Sequence, residues 1–83
     1  MPQLKVYTKG TADDEEILKR LRRLRVNFDV KPLEGQFLQQ ASEYERITGE
    51  SSSPLFCVNF EDGSSRCTLK FNDIKRAVRE GLL

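Results

Sequence analysis

The chain has 83 residues, of which 37% are hydrophobic and 33% charged, and its net charge is +1. This is the size and balance of one globular domain, 1–83, with a small core; the near-neutral total provides no global field that would draw nucleic acid or an anionic membrane, and no apolar run is long enough to span a bilayer. The absence of histidine excludes His-based catalysis, and two cysteines, Cys57 and Cys67, make a poor zinc set. No apolar leader precedes the first polar residues, so the expected compartment is the cytoplasm, where both thiols would stay reduced.

Leu4 to Thr8 alternates Leu4 and Val6 with Lys5 and Tyr7, which predicts a short strand. Thr11-Ala12-Asp13-Asp14 then reads as a capping box, with Thr11 as N-cap and an acid three residues on. Ile17, Leu18, Leu21 and Leu24 follow at helical spacing. The acids Asp13 to Glu16 fill the first turn and the bases Arg20, Arg22, Arg23 and Arg25 fill the end, as the helix dipole favours. Leu18 to Arg25 is also a basic amphipathic stretch, expected here to be a solvated face rather than a nucleic-acid contact. Val26, Phe28 and Val30 alternate as a second strand, Pro32 to Gly35 as a turn, and Phe37, Leu38, Ala41, Tyr44 and Ile47 as the inner face of a second helix stopped at Gly49.

After a polar loop ending at Pro54, Leu55 to Phe60 is almost continuously apolar, the pattern of a strand covered on both faces. Asp62-Gly63 predicts a hairpin turn, Arg66 to Lys70 the returning strand, and Asn72 the cap of a last helix that turns Ile74, Ala77, Val78 and Leu82 inward. The order β-α-β-α-β-β-α, opening on a parallel βαβ unit, predicts a four-stranded mixed sheet with helices on both faces. A two-residue turn on Asp62-Gly63 sets Cys57 opposite Thr68 and Cys67 opposite Val58, with the two sulfurs on opposite faces and no disulfide; a three-residue loop would change that register. Both cysteines are expected to be structural packing residues.

Several segments resemble the glutaredoxins in register. Val6-Tyr7-Thr8-Lys9 is similar to that family's first strand, which ends in Tyr-Ser/Thr-Lys. Ile47-Thr48-Gly49-Glu50-Ser51-Ser52-Ser53-Pro54 is similar to its Thr-Gly-x-x-Thr-Val-Pro segment, and Phe71-Asn72-Asp73-Ile74 to the start of its last helix. The resemblance covers nearly the whole chain, fits the compact members known from bacteriophages, and implies a thioredoxin-like fold with a cis bond before Pro54. It also implies a ligand-binding role for Lys9, Ser53, Pro54 and Asp73. The family's Cys-x-x-Cys positions fall without a gap on Ala12 and Glu15, with Asp13 and Asp14 between them. A catalytic thiolate is stabilised by the positive end of a helix, whereas here that end already carries carboxylates. The expectation is therefore a monomeric, non-catalytic glutaredoxin-like module that binds a protein or an extended peptide. No metal or cofactor is implied. Glutathione binding, or residual thiol chemistry at Cys57 or Cys67, is the alternative.

Overall fold

A computed structural model describes residues 2–49 and 54–83. Their elements run β1 (Gln3–Thr8), α1 (Ala12–Arg23), β2 (Phe28–Pro32), α2 (Gly35–Thr48), β3 (Leu55–Asn59), β4 (Ser65–Thr68) and α3 (Phe71–Arg79). The strands form one sheet in the order β2-β1-β3-β4. β1 is parallel to β2 and antiparallel to β3, and β3 is antiparallel to β4. The architecture is thioredoxin-like, as the element order predicts. Among the described residues no helix is long and apolar enough to cross a membrane.

Side-chain alternation along the strands divides the core in two. Leu4, Val6, Phe56 and Val58 point to one face and pack against Leu18 and Leu21 of α1 and Ile74 of α3. Tyr7, Leu55 and Cys57 point to the other, under Ala41 of α2 and beside Leu33. β3 is inside the sheet with helices on both sides, which is why Leu55 to Val58 are all buried. Tyr7 and Phe37 stack with ring centroids 4.1 Å apart and fasten α2 to its face.

Several boundaries differ from the pattern reading, each for a local reason. The second strand begins at Phe28 rather than Val26, because α1 ends through Leu24 and a left-handed Arg25 (φ 59°) before the chain can extend. It continues to Pro32, which pairs beside Thr8 on a sheet edge where a missing N–H is harmless. Leu38 (37% exposed) and Ile47 (75%) face outward, because α2 buries only the narrow stripe through Phe37, Ala41 and Tyr44. Gly49 does stop α2, in the left-handed conformation. The last helix starts two residues earlier than expected: Lys70 is the N-cap, without a side-chain bond, and Asn72 lies in the first turn. Leu82 is exposed, and Leu83 packs on the core in its place.

The hairpin register is the largest correction. Phe60 N–H donates to Ser64 C=O at 2.8 Å and Gly63 N–H to Phe60 C=O at 3.1 Å, so the loop is the three residues Glu61-Asp62-Gly63 rather than two. Gly63 takes φ 89°, the left-handed residue that closes such a loop. The Asp62 carboxylate accepts from Ser64 N–H at 2.9 Å and from the Ser64 hydroxyl at 2.6 Å, which fixes the bend. The shift by one residue sets Cys57 opposite Cys67, on the same face of the sheet. Their sulfurs are joined at 2.10 Å, with Cα atoms 4.1 Å apart. The two cysteines are therefore a cross-strand disulfide and not the separate thiols the two-residue turn implies.

Candidate functional site

The end of the sheet at the C-terminus of β1 gathers the start of α1, Pro54 before β3, and the β4–α3 junction. Between them is an open cleft of about 630 Å³ lined by Asp13, Asp14, Ile17, Arg20, Pro54, Phe56 and the segment Leu69 to Asn72. Its apolar wall is built by Phe71, the first residue of α3, whose ring meets Phe56 at a 6.2 Å centroid distance. Ile17 faces it from α1, one turn beyond Asp13. Arg20 and Lys70 bring positive charge to the same opening that Asp13 makes negative, so the cleft presents both signs around an apolar wall.

The α1 start is arranged around one carboxylate. Thr11 caps the helix through Oγ1, which accepts from Asp14 N–H at 3.2 Å. A capping box would have the acid three residues on answer to the N–H of the cap. Asp14 instead reaches further back: Oδ2 accepts from the Thr8 hydroxyl at 2.7 Å and from the Lys9 N–H at 2.9 Å. Thr8 Oγ1 in turn accepts from Gly10 N–H at 3.0 Å. Asp14 is 1% exposed. The capping box expected at Thr11 to Asp14 is thus half present: Thr11 caps the helix, while Asp14 is an internal clamp between the β1–α1 loop and the first turn. Ala12, Asp13 and Glu15, the other positions that stand where the resemblance places Cys-x-x-Cys, are exposed. Thr11 Oγ1 thus takes one donor of the helix start, the Asp14 N–H, and the Asp14 carboxylate is engaged with the loop before the helix, an arrangement that holds the loop to the first turn.

The remaining expected ligand residues do not converge. Pro54 is buried and borders the cleft. Ser53 lies outside the described residues, and with it the expected cis bond to Pro54. Lys9 is exposed on the loop and not in the cleft lining. Asp73 accepts from Thr68 Oγ1 at 2.8 Å and borders a separate, smaller hollow with Tyr44 and Thr48. In the sequence Ile17 and Arg20 are ordinary positions of α1 and Phe71 stands before the expected cap of the last helix; only the packing of two helices on one sheet face brings them to a common opening. Among the described residues no group of His, Cys, Asp and Glu side chains is placed to hold a metal ion.

A second opening, of about 590 Å³, lies on the opposite face, beside α2. Strand register lines up Lys5, Cys57 and Cys67 across β1, β3 and β4 on its floor. Cys57 is 3% exposed and Cys67 is half-buried. Gln40 and Tyr44 border it from α2, with Gln40 Nε2 donating to Tyr44 Oη at 3.2 Å. Comparison of the chain with protein-family models, with curated proteins and with solved structures finds no match.

Proposed function

We propose that this chain is a glutaredoxin-like module without dithiol catalysis at the start of α1, and that it binds an extended peptide segment of a protein partner in the cleft between α1, Pro54 and Phe71. The observation that carries this reading is Asp14. Its buried carboxylate occupies the first turn of α1 and uses the donors of Thr8 and Lys9, at the place where the family resemblance puts the reactive thiol pair. What is left beside that closed turn is a groove with an aromatic wall and charges of both signs. Such a groove suits a short stretch of chain, whose apolar side chain would rest on Phe71 and whose polar backbone and charged neighbours would meet Asp13, Arg20 and Lys70.

The test is selection from a library of displayed unstructured peptides on the immobilised full chain, followed by titration of the selected peptides into the isotope-labelled protein. Amide shifts should cluster on Ile17, Phe56, Phe71 and Asn72. Phe71→Ser, with folding checked by circular dichroism, should weaken binding at least tenfold. Peptide-induced shifts that map elsewhere on the sheet, or glutathione shifting Ile17, Phe56, Phe71 and Asn72 in this cleft as the peptides do, would overturn the reading.

A further inference from the structure

We propose that the Cys57–Cys67 disulfide is a thiol-exchange site for a small peptide-sized monothiol, with Cys67 the sulfur attacked and Cys57 the sulfur that leaves. The site is on the α2 face of the sheet, opposite the cleft described above, and stands or falls independently of it.

Three observations converge. Accessibility differs between the two sulfurs' residues: Cys57 is enclosed under α2, whereas Cys67 is on the edge strand and half-buried. Both line an opening of about 590 Å³, which is wide enough for a thiol of two or three residues. Lys5 stands directly across from Cys57 in the β1–β3 register and lines the same opening. No carboxylate of the described residues forms an ion pair with its ammonium, although Asp29 follows it in the same row on β2. A cation beside a cysteine stabilises its thiolate, and a thiol that is the better anion is the better leaving group in exchange. The row Lys5–Cys57–Cys67 therefore has an exposed end to receive the attack and a charged end to receive the electrons.

The chemistry balances. A monothiolate attacks Sγ of Cys67; a new sulfur–sulfur bond forms there, the Sγ–Sγ bond to Cys57 breaks, and its electron pair stays on Cys57 beside Lys5. A second monothiolate attacks the added sulfur and releases Cys67 as a thiolate. The protein disulfide gains two electrons and two protons, and two monothiols become one small disulfide.

The experiment follows oxidised full-length protein in millimolar glutathione, quenched with acid at intervals and mapped by peptide mass spectrometry. A single glutathione adduct should appear on Cys67 and give way to the dithiol protein. Lys5→Gln should slow the first step about threefold at low ionic strength, the size expected for a modest loss of leaving-group stabilisation. Two single variants give a separate reading with oxidised glutathione: the Cys67 thiol left by Cys57→Ser should be modified at least tenfold faster than the Cys57 thiol left by Cys67→Ser. Wild-type adducts on Cys57, an unchanged rate in Lys5→Gln, or a disulfide that resists glutathione until denaturant is added would each overturn the proposal. The last result would make it a structural staple only. Where a cysteine variant fails to fold, the wild-type mapping decides.

Discussion

The Asp14 carboxylate holds Thr8 and Lys9 with one oxygen, 2.7 Å from the Thr8 hydroxyl and 2.9 Å from the Lys9 N–H. This single atom joins the last residue of β1 to the first turn of α1 across a loop that contains a left-handed glycine, Gly10. Asp14→Ala removes the acceptor and leaves both donors without it in a partly closed site. The expected cost is about 1–3 kcal/mol, read as a drop in the denaturation midpoint with unchanged slope. Asp13→Ala, one residue away and exposed, should cost about 0.3–1 kcal/mol through the dipole alone. Equal losses in the two variants would contradict the clamp.

Arg25 sits just beyond the end of α1 with φ 59°, a conformation that costs a side-chain-bearing residue about 1–2 kcal/mol. Arg25→Gly is expected to raise stability by about 1 kcal/mol, since this is the position where helices most often carry glycine. Thermal unfolding should shift upward by roughly 4–8 °C for a domain of this size. No gain would mean that the Arg25 side chain contributes packing that offsets the strain.

Gly63, at φ 89°, closes the three-residue hairpin loop, with open space where a side chain would project. Gly63→Ala therefore has no clash to relieve and only the backbone penalty to bear, about 1–2 kcal/mol. The informative measurement is the disulfide. If the loop keeps its length the Cys57–Cys67 bond still forms. A variant that yields two free thiols would show that the hairpin had moved to a two-residue turn.

In the same loop, hydrogen bonds from the Ser64 hydroxyl and then its N–H hold the Asp62 carboxyl below its ordinary range. A carboxyl lowered in the folded state stabilises that state above its unfolded pKa, about 3.9. The contribution is lost as pH falls through the lower folded value. The stability difference between the wild type and Asp62→Ala should accordingly be constant near neutrality and shrink on acidification below about pH 4. A difference that grows with acid would contradict the assignment.

Much of the fold is legible in the sequence because its elements are strongly periodic. Leu18 and Leu21 announce α1, and the run from Leu55 announces a strand with cover on both faces. The hairpin was less legible. Asp62-Gly63 is an equally good signal for a two-residue turn or for the last two residues of a three-residue loop, and the one-residue difference moves Cys67 from one face to the other. Nothing local distinguishes them; the Ser64 bonds to Asp62 do, and those are seen only once the chain is bent. Asp14 is hidden for a similar reason. Four consecutive acids at a helix start look alike in sequence, and which of them turns inward depends on where β1 delivers Thr8 and Lys9. Ile47 carries the opposite ambiguity: it follows the apolar spacing of α2, but it is exposed and takes no part in the cluster that holds Phe37, Ala41 and Tyr44.

The strand order carries a consequence for how the chain comes together. β1 is made first yet ends between β2 and β3, so its antiparallel partner is about fifty residues further along. A nascent chain that has reached Gly49 holds β1, β2 and the first two helices, with one edge of β1 still open and Phe56 not yet present to fill the floor beneath Leu18 and Leu21. Such an intermediate has an unpaired strand edge flanked by exposed apolar side chains. The five residues of β3 close that edge and bring Phe56 to one core and Leu55 to the other, so both faces of the sheet wait on the same strand, and Ile74 of α3 joins the first core only after it.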